Sequence, residues 1–212
     1  MRHVSIILAF LLSLCCAVSC AQGKQDKASQ TKEKKNMKTE KKVLVAYFSR
    51  TGENYAVGNI KKGNTHIIAE MIAEQTGVKI FEIVPTKPYP NGYDACVEMA
   101  KKEKEAKARP EVKGDIRVEN YDVIFLGYPN WWGDMPMPVY TFMEKHDWKG
   151  KIVVPFCTNE GSGLSDTEEY IAKACGGATV ESGFSILGHI AQNSQAKAKK
   201  EVEEWLSQLK SL

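Results

Sequence analysis

From residue 43 onward the chain alternates short apolar runs with longer amphipathic segments. Val43-Leu44-Val45-Ala46-Tyr47-Phe48 is a run of strand formers, broken by Ser49-Arg50-Thr51-Gly52. Gly63-Asn64-Thr65 opens an amphipathic segment in which Ile67, Ile68, Met71 and Ile72 share one stripe, and Gly77 ends it. Residues 78–84 predict a second strand, turned by Pro85, Pro88 and Pro90, and 93–108 a charged helix with a stripe of Cys96, Met99 and Ala100. Residues 122–127 are the most continuous apolar run of this region, the pattern of a central parallel strand covered on both faces. Val139, Phe142 and Met143 mark a helix after Pro138. A fourth strand over 151–157, a helix over 165–174 and a fifth strand over 182–187 follow, and a helix over 197–209 turns Val202, Trp205, Leu206 and Leu209 inward.

Five strands separated by helices imply an α/β domain whose parallel sheet carries helices on both faces. In such sheets ligands bind beyond the carboxyl ends of the strands, where strand order reverses. The loops at those ends are 49–65, 128–138 and 158–164. In the first, a buried strand feeds hydroxyl groups and a helix start toward one point, which suits an anion. The second holds adjacent Trp131 and Trp132, which cannot both point inward from an extended segment; one caps the core and at least one covers something flat. The third, Thr158-Asn159-Glu160-Gly161-Ser162-Gly163, either lets backbone approach a ligand or is an ordinary flexible turn.

The 212 residues suffice for one well-buried domain plus an unstructured or processed segment, and 43% apolar with 26% charged residues is ordinary for a soluble globular chain. Arg2 and His3 precede an apolar stretch over 6–14, then Ala17-Val18-Ser19 and Cys20. This resembles a bacterial lipoprotein signal over 1–20 with Cys20 as the lipidation site; an ordinary cleaved signal is the alternative, and both place the domain outside the cytoplasm. Residues 21–42 are mainly Lys, Gln, Glu, Ser and Thr without an aromatic, and read as a disordered tether of about 25 Å between the membrane anchor and a domain over 43–212. The basic excess sits in these leading segments. Residues 42–212 hold 21 Lys+Arg against 23 Asp+Glu, net −2, with no basic stripe of interleaved aromatics, so nucleic acid is not indicated as a partner.

Several chemistries lack their motifs. Gly58 to Thr65 approximates a P-loop but has no lysine and lies too far from the strand, and no Gly-x-Gly-x-x-Gly is present to hold a pyrophosphate. A receiver domain needs aspartates where Ser49 and Tyr128 stand, and no C-x-x-C, H-E-x-x-H or G-x-S-x-G supports zinc or a hydrolase. Cys96, Cys157 and Cys175 read as buried thiols, though an oxidising compartment permits a disulfide that the sequence does not assign.

Tyr47-Phe48-Ser49-Arg50-Thr51-Gly52, the delayed Gly63-Asn64-Thr65, Gly127-Tyr128-Pro129-Asn130-Trp131-Trp132-Gly133, and Pro155-Phe156-Cys157-Thr158 with Glu160-Gly161-Ser162-Gly163 together resemble the flavodoxin-like family of bacterial FMN-binding proteins. The resemblance covers 43 to about 190. It implies a three-layer fold, a five-stranded parallel sheet of order 2-1-3-4-5 with helices on both faces, and non-covalent FMN. It places Ser49, Thr51, Asn64 and Thr65 about the phosphate and Pro129, Asn130, Trp131 and Trp132 along the isoalloxazine. Thr158, Gly161, Ser162 and Gly163 would flank its other side, with backbone near Gly133 or Glu160 reaching flavin N5. Residues 53–62 depart from the pattern by interrupting the phosphate loop, and Arg50 either adds charge there or is a solvated loop residue.

Two functions follow from the resemblance. The first is an electron carrier tethered outside the cytoplasm, exchanging electrons with redox partner proteins. The second is an FMN-dependent oxidoreductase acting on a quinone, azo or nitro acceptor in a pocket lined by Tyr128, Trp132 and Glu160. A flavin-free binding module is a third. The scarcity of nicotinamide donors outside the cytoplasm favours the carrier.

Overall fold

A computed structural model describes residues 41–212. The expected signal, Cys20 and all but the end of the expected tether lie outside these described residues.

In chain order the elements are β1 (Val43–Tyr47), β2 (Gly52–Asn54), β3 (Gly58–Ile60), α1 (Asn64–Thr76), β4 (Lys79–Glu82), β5 (Val84–Pro85), α2 (Tyr93–Glu105) and β6 (Val112–Lys113). A short 3-10 turn at Val118–Asn120 precedes β7 (Val123–Pro129), α3 (Met137–Glu144), β8 (Ile152–Asn159), α4 (Thr167–Ala174), β9 (Thr179–Val180), β10 (Phe184–Leu187), α5 (Gly188–Asn193) and α6 (Gln195–Leu206). The central sheet runs β10-β8-β7-β1-β4, entirely parallel, with β9 paired to the start of β8. Taking β9 and β10 as the two pieces of one interrupted strand, the order is 2-1-3-4-5, as the resemblance implied.

Alternation along the strands builds the two outer layers. Leu44, Ala46, Ile124 and Leu126 share a core with Val139 and Phe142 of α3, Trp148 of the following loop, Ile171 of α4 and Cys96 of α2. On the other face Val45, Phe125, Val154 and Phe156 meet Ile68 and Ile72 of α1 and Val202 of α6. Gly127 has a packing reason to be glycine: a Cβ there would lie 2.1 Å from Cζ of Phe156. That ring therefore closes against the backbone of the neighbouring strand just before the two strands release their loops.

The differences from the sequence reading are local. β7 and β8 run two residues further than the apolar runs, because parallel pairing continues through Pro129 and Thr158. The interruption at 53–62 is an antiparallel hairpin, Gly52 opposite Ile60. A small antiparallel pair joins Val84 and Pro85, before α2, to Lys113 and Val112 after it, and α5 follows β10 without a loop. At the other end of the sheet, the Lys42 amide donates to the Asp122 carboxylate at 2.8 Å and the Asp122 amide to the Lys42 carbonyl at 2.8 Å. Lys42, the last residue of the expected tether, is thus held by the domain.

The three cysteines among the described residues, Cys96, Cys157 and Cys175, are buried and free. Burial pushes the Cys175 thiol up to about 12 from an ordinary 9.0. Between those values the native state keeps a proton that the unfolded chain releases, so Cys175 contributes stability that is complete below pH 9 and is lost as pH rises toward 12. The unfolding free energy is expected to fall between pH 8 and pH 10.5, by on the order of 2 kcal/mol less in Cys175→Ala than in the parent chain. Denaturant titrations at the two pH values read this difference; parallel behaviour of the two proteins refutes it.

Candidate functional site

Three loops leave the carboxyl ends of β1, β7 and β8 and converge. In the first, the half-buried Ser49 hydroxyl accepts the backbone amide of His66 at 3.1 Å, tying the end of β1 to the first turn of α1. Gly63 makes this possible, since a Cβ there would stand 2.2 Å from Ser49 Oγ and 2.5 Å from the Arg50 carbonyl. The helix begins at Asn64 with no side-chain cap hydrogen bond and no acidic residue in its first turn. Apart from the His66 amide, which Ser49 takes, its positive end has no side-chain partner, the arrangement that holds an anion. Thr65 is buried, its hydroxyl 2.8 Å from that of Thr158, so α1 is also tied to β8. Thr51 is exposed.

Arg50 is one of the residues that line the cleft described below. Its guanidinium donates to the carbonyls of Glu53, Pro90 (2.6 Å) and Asn91 (2.7 Å), fastening the β2–β3 hairpin to the chain that leads into α2. Its donors face carbonyls on two segments, so it is not the solvated loop residue of one reading, and its charge stays at the edge of the cleft.

In the second loop Trp131 and Asp134 exchange backbone hydrogen bonds of 2.8 and 3.1 Å around a two-residue turn. Trp132 and Gly133 at its centre have φ of +59° and +70°. Positive φ at both central residues is the hairpin-turn geometry that glycine and asparagine favour, and a tryptophan held there is strained by roughly 1 kcal/mol. The two tryptophans divide. Trp131 turns inward, edge-on to Phe48 (5.5 Å) and Tyr89 (5.0 Å). Trp132 is 51% exposed, with the Lys101 ammonium 5.6 Å from its ring centre. Asn130 joins this loop to the third: its carbonyl accepts the Gly133 amide at 3.0 Å while its NH2 donates to the Gly163 carbonyl and Ser165 hydroxyl, both at 3.0 Å.

The third loop folds around Asn159, whose side-chain carbonyl accepts the amides of Gly161 (2.8 Å) and Gly163 (3.0 Å). This is therefore a built turn and not a flexible one. Glu160 points to α5, where both carboxylate oxygens engage His189, one accepting the backbone amide at 2.8 Å and the other 2.7 Å from Nδ1.

Between the loops and α2 lies a cleft of about 380 Å³. Of the candidate residues, Asn64, Pro129, Asn130, Trp131, Trp132, Thr158, Glu160 and Ser162 line it, whereas Ser49, Thr51, Thr65, Gly133, Gly161 and Gly163 do not. Tyr128 is not a pocket residue. It is fully buried and donates to the Thr167 hydroxyl at 2.7 Å, because at this point of β7 the side chain faces α4.

The cleft also takes Arg50, together with Asn159 and, from the other side, Asn54, Tyr55, Tyr93, Cys96, Val97 and Ala100, which sequence reasoning missed. Asn159 was legible as an Asx turn preceding Glu-Gly-Ser-Gly. Tyr93, Val97 and Ala100 recur at helical spacing beside the core stripe and were hidden by it. No local signal marks Tyr55.

A parallel sheet of this order, with helices on both faces and a cleft at the carboxyl ends of its strands, is a three-layer α/β fold of the flavodoxin-like kind. A profile described as Flavodoxin matches residues 42–209, and the chain belongs to the flavodoxin family. Among solved structures it is similar to provisionally named flavoproteins from Bacteroides eggerthii and Bacteroides uniformis. Each is 28% identical, covering 79% of this chain and 97% and 99% of theirs, with TM-scores of 0.60 and 0.64. A flavoprotein from Lactobacillus acidophilus, solved in complex with FMN, has 21% identity over 78% of this chain and 99% of its own, with a TM-score of 0.57. No curated protein matches the sequence.

Proposed function

We propose that this protein binds FMN without a covalent link and works as an electron-transfer flavoprotein, lipid-anchored at Cys20 outside the cytoplasm and exchanging electrons with redox partner proteins or small-molecule acceptors. The observation that carries the cofactor is the uncapped start of α1 at Asn64, a residue that also lines a cleft walled by Trp131 and Trp132. One helix start accommodates one phosphate, and the adjoining cleft takes a flat ring. The groups present fit FMN. The first amides of α1, with the Ser49 hydroxyl beside them on the His66 amide, are available to the phosphate, and Asn130, Trp131, Trp132 and the 158–163 turn would hold the ring. When bound, FMN supplies electron transfer. Membership of the flavodoxin family and the FMN bound by the Lactobacillus acidophilus protein support the assignment.

Titration of the full chain with flavins tests this. FMN is expected to bind in a 1:1 ratio and to be released unmodified on denaturation, and riboflavin, lacking the phosphate, to bind at least tenfold more weakly. Equal affinity for the two flavins removes the helix start from the site. Incorporation of labelled palmitate, lost in Cys20→Ala, is the corresponding test of the anchor.

A second reading, an FMN-dependent oxidoreductase acting on a quinone, azo or nitro acceptor, has its own observation. The cleft continues past the three loops onto α2, where Tyr55 and Tyr93 line it and stay exposed.

A further inference from the structure

Residues 53–62 interrupt the phosphate loop, and nothing in the cofactor assignment requires them. The hairpin they form is firmly attached. The Glu53 amide donates to the Asn91 carbonyl at 2.9 Å, the Tyr93 amide donates to the Glu53 carboxylate at 3.1 Å, and the Arg50 fork closes the same junction. Gly52 packs so closely that a Cβ would lie 2.8 Å from the Asn91 carbonyl.

The consequence of this attachment is the position of Tyr55. Its ring centre lies 6.1 Å from that of Tyr93, at 31°. Further along α2, the Trp132 Nε1 donates to the Val97 carbonyl at 3.4 Å. Tyr55 (63%), Trp132 (51%) and Tyr93 (37%) are three of the five exposed large hydrophobic residues among the described residues, and all three line this one cleft. The surface between them is small and apolar, formed by Cys96, Val97 and Ala100. From Tyr93 the helix rises about 6 Å to Val97 and about 12 Å to Lys101. A ring stacked between two others needs about 7–8 Å.

We propose that this end of the cleft is a slot for a second, planar aromatic ring the size of a naphthoquinone, held between Tyr55 of the hairpin and Trp132 over the α2 surface. The inference deepens the oxidoreductase reading and rests on it for the ring's role as acceptor. The hairpin is then the element that selects the acceptor's shape, and Tyr55 a specificity residue.

Calorimetric binding of 1,4-naphthoquinone to the FMN-loaded, oxidised full chain tests the slot without turnover, with cyclohexane-1,4-dione as the non-aromatic control. The parent chain is expected to bind the quinone and not the dione. Tyr55→Ala is expected to weaken the quinone about tenfold and FMN less than twofold, and Tyr55→Phe to restore the quinone affinity. Absence of quinone binding, or an equal loss of quinone and FMN in Tyr55→Ala, overturns the proposal; the second result makes Tyr55 part of the flavin wall. A chain that takes up no FMN but binds the quinone with the same Tyr55 dependence overturns the cofactor assignment and sustains the slot.

Discussion

Gly63→Ala is expected to lower FMN affinity about 100-fold while leaving the fold in place. The added methyl would stand 2.2 Å from Ser49 Oγ and 2.5 and 2.9 Å from the Arg50 carbonyl and amide. Two of these atoms are backbone and cannot swing aside, so β1 and the start of α1 must move apart. Overpacking of this kind costs about 1–3 kcal/mol, a fall in Tm of roughly 3–10 °C for a domain of this size. Binding suffers more, because the separated elements are the ones proposed to meet at the phosphate, and several charge-assisted hydrogen bonds are lost together. Gly58→Ala is the control. Gly58 has a positive φ, +69°, where Gly63 has −70°, and a Cβ at Gly58 meets nothing within 4 Å, so there backbone strain appears without displacement of the site. Retention of parental FMN affinity in Gly63→Ala, read by flavin fluorescence, would sink the assignment of the phosphate to this junction.

The paired tryptophans are expected to respond in opposite senses. Trp131→Ala removes a ring that packs edge-on to both Phe48 and Tyr89, joining the end of β1 to the chain before α2 and to its own loop. The loss is about 2–4 kcal/mol, below that of a fully buried tryptophan because Trp131 is half-buried. Trp132→Gly removes a ring that is half in solvent and places glycine where φ is already +59°. It is expected to leave stability unchanged or raise it by up to about 1 kcal/mol, and to weaken ring binding in the cleft. Thermal melts and flavin titrations of the two variants separate the effects. A Trp132→Gly protein that is less stable than its parent would show that the exposed ring is a packing element.

This division marks where sequence reasoning stops. The continuous apolar runs at 43–48 and 122–127 specify central strands because a parallel sheet leaves no polar face to confuse the pattern. The converging loops were equally legible, since a doubly wound sheet fixes which ends bind ligands. Which tryptophan turns inward depends on a turn closed by Trp131 and Asp134, and alternation alone does not choose its sense. The second wall of the cleft was illegible for a related reason. Tyr55 reaches Tyr93 only because Arg50 spends its donors on carbonyls 40 and 41 residues away, and a contact of that span leaves no periodic trace. Tyr128 failed differently: β7 continues to Pro129, so the tyrosine obeys the strand's alternation and is drawn into the core.

The point where Lys42 joins the sheet has a mechanical meaning. Asp122 receives it at the amino ends of β1 and β7, while the cleft opens beyond their carboxyl ends, about 20 Å away along a seven-residue strand. Any leash entering through Lys41 thus pulls on the pole opposite the mouth. If Cys20 carries the lipid proposed above, a leash entering at that pole stays clear of the mouth, and the cleft is left open to its partners whichever way the tethered domain turns.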